Sequence, residues 1–312
     1  MKTILITGGT SMIGRAIQEV INKDLYKVIA PTKEELNLLS LEQTQAYFRN
    51  YLPHEVIHLA GINGGINYNK LYPATIYFNT VQMGLNVLKC SSDYGVQKTV
   101  SLLASCSYPD GQSDKELEES SLHLGPPNPS VECHGQAKRT LEIYSRQLRS
   151  EFQVNAISLI MNNSFGPYDR FEPQRSKVVG GLIKRFVEAK KNNEPSITCW
   201  GDGSPLREFV YCKDAAKLIL LALEKYDEPT PLNIGSPNEV TIKTVANTIA
   251  EVLDYKGQII WDTTKANGQM RKKLNLNKMN SFLLDNKFEY TPFHTAISET
   301  LTWYMENPTW SK

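Results

Sequence analysis

The chain has 312 residues, a formal net charge of +1, 41% hydrophobic residues and 21% charged residues. That is the composition of an ordinary soluble globular chain, long enough for one large domain or two, with no general attraction to nucleic acid or membrane. The five cysteines, at 90, 106, 133, 199 and 212, form no C-x-x-C pair, and their odd number argues against a disulfide framework. Free thiols, no signal-like N-terminus and no apolar run of the ~20 residues that span a bilayer together point to the cytoplasm.

The first half alternates short β-branched runs with helical patterns. Lys2 to Thr7, Lys27 to Ala30, Glu55 to Leu59, Lys98 to Leu103 and Asn155 to Met161 read as buried strands. Between them, Gly14 to Asn22, Leu41 to Asn50, Thr75 to Tyr94 and His134 to Ser150 read as helices. Such repeated β-α units predict an α/β fold with a doubly wound, parallel, Rossmann-like sheet. The second half is less regular. Helices are expected over Ser176 to Lys190, Lys213 to Glu224, Ile242 to Leu253 and Ala296 to Met305. Short strands are expected at Ser196 to Trp200, Leu232 to Ile234 and Gln258 to Trp261. The organisation expected is a dinucleotide-binding domain over 1–163 and a smaller α/β substrate domain over 164–312, with segments returning to the first. A polar, proline-rich loop runs from Asp110 to Glu132, and loops of that length serve either a site or plain surface.

Gly8, Gly9 and Gly14 punctuate the passage from the first strand to the first helix. Glycines there let the backbone approach a pyrophosphate, and the helix start at Ser11, Met12 and Ile13 favours its charge. After the second strand the chain reads Ala30-Pro31-Thr32-Lys33. A cation and no acid suits a 2′-phosphate, so NADP is expected ahead of NAD, although Glu34 and Glu35 follow and Lys33 also reads as a solvated surface lysine. Leu59, Ala60 and Gly61 offer a small-residue passage beside the dinucleotide. Met161, Asn162 and Asn163 follow the fifth strand, where side-chain amides reach nicotinamide or substrate.

His134 and Lys138 are four residues apart on an expected helix and so share a face. Lys138 would push the imidazole toward its neutral form. Cys106 follows the fourth strand at the carboxyl edge, where ligands bind in such sheets. A metal site of Cys106, Cys133 and His134 is disfavoured, because adjacent helical residues diverge by ~100°.

Specific segments resemble a known family. They are Glu35-Leu36-Asn37-Leu38-Leu39, Gly64-Gly65-Ile66, Ser105-Cys106-Ser107-Tyr108-Pro109, Gly125-Pro126-Pro127 and Ala137-Lys138-Arg139. They continue with Phe165-Gly166-Pro167-Tyr168-Asp169, Trp200-Gly201-Asp202-Gly203, Arg207-Glu208-Phe209 and Asn267-Gly268-Gln269-Met270-Arg271-Lys272. In this order, from Ile4 to Asn307, the chain resembles the GDP-L-fucose synthases, which are extended short-chain dehydrogenases/reductases. The resemblance implies bound NADP(H), a GDP-linked sugar substrate and a homodimer.

The family epimerises C3 and C5 beside a C4 ketone and then reduces the ketone. Cys106 and Lys138 match its pattern, but three catalytic positions depart from it. Ala104 stands for the serine, His134 for the tyrosine of Tyr-x-x-x-Lys, and Lys177 for the epimerising histidine. Ser11 also replaces the middle glycine of G-x-x-G-x-x-G. At the nucleotide end the resemblance implies that Ser105, Asn163, Trp200, Arg207, Arg271 and Lys272 bind substrate together with Cys106 and Lys177. The expected activity is reduction at C4 of a GDP-linked 4-keto sugar, with or without epimerisation. The alternatives are an impaired or regulatory homologue that still binds NADP and GDP-sugar, or an epimerase without net reduction.

Overall fold

The computed structural model describes residues 1–310 apart from 113, 174, 266 and 284–287. Its first half alternates as the apolar pattern predicts. Strand β1 (Lys2–Thr7) leads to α1 (Met12–Val20), and β2 (Tyr26–Ile29) leads to α2 (Leu41–Tyr51). Next come β3 (Glu55–His58), α3 (Ile66–Leu71), α4 (Pro73–Asp93) and β4 (Lys98–Ala104). The long loop then enters α5 (Glu132–Phe152), which returns to β5 (Ala156–Met161). The second half holds β6 (Asn163–Phe165), α6 (Val178–Lys191), β7 (Ser196–Trp200), β8 (Leu206–Tyr211), α7 (Cys212–Lys225) and β9 (Leu232–Ile234). It continues with β10 (Glu239–Thr241), α8 (Ile242–Leu253), β11 (Gln258–Asp262), β12 (Arg271–Lys272), α9 (Asn277–Leu283) and α10 (Phe293–Glu306).

Strands β2-β1-β3-β4-β5-β9 form one sheet in that order, and every pairing in it is parallel. Helices cover both faces, so β3 and β5 are buried along their whole length, the polar Glu55, His58 and Ser158 included. Burying each core side chain such as Ile4, Ile57, Leu159 or Ile160 contributes roughly 1.5–3 kcal/mol. From β1 the chain goes to β2 on one side and later to β3 on the other. That divergence opens a crevice at the carboxyl ends of β1 and β3. The last strand, β9, comes from the second half and pairs with β5, while α7 packs on α1.

Helix α1 starts at Met12 rather than Gly14, because Ser11 caps it: its hydroxyl accepts the Gly14 N–H at 3.2 Å. Likewise α4 starts at Pro73, whose fixed φ and missing N–H suit a first turn. Strands β6, β8, β10 and β12 and helices α3 and α9 were not expected from the sequence. The interior of β8 carries Arg207 and Glu208, so it lacks an apolar signature although β6, β10 and β12 all pair with it. Strands β7 and β11 pair in parallel as a separate ribbon.

The proline-rich loop is fastened rather than free. Leu117 bridges to Leu274 and donates its N–H to the Lys273 carbonyl at 2.9 Å. Arg139 of α5 donates to the carbonyls of Ser107 at 2.6 Å and Gly125 at 2.8 Å. Through these bonds the loop ties β12, which carries Arg271 and Lys272, toward the end of β4. Among the described residues, no helix is long and apolar enough to cross a membrane.

Candidate active site

The crevice is a cleft of about 910 Å³ lined by the glycine turn, the segment after β2, the Leu59–Gly64 stretch and Tyr168, Asp169, Arg170, Glu172, Arg175 and Lys177. That volume lies in the usual range for ligand sites, roughly 300–1,000 Å³. Gly8, Ser11, Met12, Ile13, Gly14, Lys33, Leu59, Ala60 and Gly61 are adjacent in or beside it. The glycines are sterically required. A Cβ on Gly8 would lie 2.8 Å from the Ala60 nitrogen, and Gly8 holds φ +72°. A Cβ on Gly9 would lie 2.6 Å from the Ala30 Cβ, and one on Gly14 2.5 Å from the Gly8 carbonyl oxygen. Main chain packed this tightly leaves a cradle that a dinucleotide's diphosphate fits. The Lys33 side chain projects at the rim, 91% exposed, with its Nζ 3.6 Å from Glu34.

At the inner end, Gly61 meets the candidate reacting centre: the Lys138 Nζ lies 3.5 Å from the position a Gly61 Cβ would take. Lys138 is buried and donates to the Leu102 carbonyl at 2.8 Å. Burial brings its pKa down to about 8, opposed by Cys106. His134, one turn earlier on α5, is also buried. Burial first, then the charges of Lys138 and Lys177, push its pKa down to about 3, while a backbone hydrogen bond with Ile62 acts in the opposite direction. The expected neutral imidazole is present, but desolvation contributes more to it than the lysine. The His134 Nδ1 is buried and has no hydrogen-bond partner among the described residues.

Cys106 sits on the short turn Ser105–Ser107 after β4. Burial raises its thiol pKa, while Lys272, Lys177 and Lys138 draw it down. His134, Lys138, Cys106, Lys177 and Lys272 therefore form one electrostatic neighbourhood. Gly135 brings α5 against β4, since a Cβ there would lie 2.5 Å from the Cys106 carbonyl oxygen. Lys177 lies immediately before α6, on the wall of the cleft.

Other predicted residues serve mostly as internal ties. The Ser105 hydroxyl donates to the Asn162 amide oxygen at 3.0 Å, and Asn163 donates to the same oxygen at 3.3 Å. The Asn162 amide donates to the Lys272 carbonyl at 3.1 Å. Met161 pairs with Ala104 across β5 and β4. Arg207 donates to the carbonyls of Leu206 at 2.7 Å and Gln269 at 2.5 Å, beside Lys272 in register. Arg271 makes two bonds to Glu239, at 2.9 and 2.6 Å. Trp200, at the end of β7, is 72% exposed.

The chain matches the model of the NAD dependent epimerase/dehydratase family over residues 4–235. The chain belongs to that family. Within it, the chain is 34% identical to the GDP-L-fucose synthase of Dictyostelium discoideum, over 98% of this chain and 96% of the relative. It is 31% identical to the GDP-L-colitose synthase of Yersinia pseudotuberculosis, over 97% of each. The structure of a GDP-L-fucose synthetase from Naegleria fowleri bound to NADP superposes with a TM-score of 0.91 at 32% identity, covering 100% of this chain and 96% of that one. The fold expected of an extended short-chain dehydrogenase/reductase is the fold observed.

Several lining residues carried no expectation: Arg15, Asn63, Arg170, Arg175 and Trp310. The Phe165–Asp169 segment signalled the family, yet its tertiary place beside the cleft was not legible. Glu208 was also missed as a tie. It accepts the N–H groups of Ser236 and Leu274, each at 3.1 Å, and an amide hydrogen of Asn162 at 3.4 Å, and burial lifts its pKa to about 7.

Proposed function

We propose that this member of the family is an NADP(H)-dependent oxidoreductase acting at C4 of a GDP-linked 4-keto sugar. The observation that carries the proposal is the continuity of the glycine-lined cleft with the buried His134–Lys138–Cys106 centre through Gly61. A nicotinamide cofactor bound in the cleft would supply or accept hydride at the sugar's C4. Gly8, Gly9, Gly14, Ser11, Met12 and Ile13 would hold its diphosphate. Lys33 is the candidate for a 2′-phosphate, and NAD remains the competing cofactor.

The chain's own proton chemistry follows from burial. His134 is neutral at neutral pH, and its Nδ1 is buried without a partner among the described residues, so it acts through the local field rather than by an open contact. Lys138 Nζ, with a pKa near about 8, gives up a proton more readily than an exposed lysine and is the proton reservoir of the centre. Cys106 and Lys177 are the pair for any C3/C5 proton exchange. Lys272 and Arg207 supply positive charge on the side assigned to GDP, Arg271 is taken up by its pair with Glu239, and Ser105, Asn162 and Asn163 fix the wall between. The division into a cofactor domain over 1–163 and a mainly sugar-nucleotide domain over 164–312, with segments such as β9 returning to the first, accompanies this assignment. A homodimer is supported by the exposed Tyr77 and Phe78 of α4 and Ile143 of α5, and a cytoplasmic setting by five unpaired thiols.

The test is NADPH oxidation followed by absorbance with GDP-4-keto-6-deoxymannose, with solvent deuterium uptake at C3 and C5 measured alongside. Turnover that Lys138→Met suppresses supports the assignment. Absence of NADPH oxidation with any GDP-4-keto sugar would overturn it. Deuterium uptake without NADPH loss would turn the assignment to epimerisation.

A further inference from the structure

Arg15 lies on the wall of the cofactor cleft, one residue beyond the last glycine of the turn. Its Nε donates to the Thr10 carbonyl at 3.3 Å, inside that turn. Its guanidinium carbon stands 5.0 Å from the Tyr168 ring centre and 4.8 Å from the Trp310 ring centre. The two rings meet edge-on, 5.3 Å apart. Trp303 of α10 braces both, 4.6 Å from Tyr168 and 5.3 Å from Trp310.

No ion pair among the described residues involves Arg15. Aromatic faces attract the guanidinium through their quadrupole and fix its direction without neutralising its charge. A carboxylate partner would cancel the charge toward an anion, whereas this pair of rings leaves it available. Tyr168 also holds φ +67°, a left-handed conformation unusual for a bulky residue. Such strain persists where the surroundings fix it, and it clusters at ligand clamps. Tyr168 and Trp310 themselves line the cleft. The contact thus joins three distant pieces of chain at the glycine turn, the middle of the path from the segment after β2 to Lys138.

We propose that Tyr168 and Trp310 hold Arg15 over the glycine turn as a clamp on the diphosphate of the bound dinucleotide, so that the segment after α10 completes the cofactor site. This rests on the dinucleotide assignment above. Arg15 touches the ligand, and the two rings are its positioning residues.

Equilibrium binding of NADPH and NADH to the full chain, read by dihydronicotinamide fluorescence, tests the clamp without any sugar. Arg15→Gln weakens both dinucleotides by the same factor, about tenfold or more, the value of a charge-assisted hydrogen bond. Trp310→Ala weakens both about threefold, as loss of a cation–π contact would, and Trp310→Phe restores binding. Thermal melts of each variant check that the fold is kept. Unchanged binding in Arg15→Gln overturns the clamp while leaving the cofactor assignment intact. A loss confined to NADPH also overturns it, by moving Arg15 to the 2′-phosphate. If the native chain binds neither dinucleotide, the clamp and the cofactor assignment fall together.

Discussion

The cofactor cleft and the reacting centre share a wall at Gly61 and Ile62, yet they are built from different materials. The cleft is shaped by main chain: close approaches at Gly8, Gly9 and Gly14 and a capped helix start. The centre is shaped by buried titratable side chains whose protonation depends on their surroundings. A main-chain cradle tolerates side-chain change, and Ser11 caps α1 where the family pattern has a glycine. A proton-transfer centre built as proposed does not, because a change at Ala104, His134 or Lys177 would alter which atom holds a proton.

That contrast can be broken at several points. The largest effect is expected in the centre. Lys138→Met removes the ammonium beside the cleft and lowers the rate of reduction by ~10²–10³, the range seen when a catalytic donor is deleted. NADPH binding should change far less, and a comparable loss in both would erase the distinction. In the cleft, Gly14→Ala places a Cβ against Gly8 and Gly9. Overpacking of this kind costs ~1–3 kcal/mol, so the melting temperature drops and dinucleotide affinity falls with it. The double change Ala104→Ser with His134→Tyr restores two hydroxyl donors. It should raise NADPH oxidation about tenfold or more over the native chain if the frame around the centre is intact.

The smaller effects concern pH and the nucleotide end. Reduction that draws its proton from Lys138 falls as pH rises through about 8. The pH–rate profile should show no limb near the ordinary histidine value of about 6.5, since burial holds His134 near about 3. The same burial affects stability. His58 and His134 both have folded-state pKa values of about 3, so the unfolded chain takes up protons first. Their contribution is present at neutral pH and is lost as pH falls from about 6.5 toward about 3. Urea midpoints across that window should fall less in His134→Tyr than in the native chain. The smallest change is expected from Arg271→Ala, which breaks a partly exposed pair with Glu239. Such pairs contribute about 1 kcal/mol or less, so a large loss of stability there would show a role the geometry does not.

The legible parts of the fold were those where one physical signal dominated. Strands β1, β3 and β5 read clearly because both faces are buried, and α8 read correctly end to end because its apolar stripe is regular and Thr241 caps it. Strand β8 did not, because Arg207 and Glu208 look like surface residues until their partners are known. Gly135 looked unremarkable, although it sets the distance between α5 and Cys106. Arg15 carried no signal, since its aromatic partners lie more than 150 residues along the chain.

The sequence by itself determined the parallel sheet, the glycine cradle and the placing of His134 and Lys138 on one helix face, because each is a local pattern of size or spacing. Tertiary structure alone decided how those groups ionise and what completes the cleft. Desolvation, and the convergence of charges and rings from distant segments, exist only once the chain is packed.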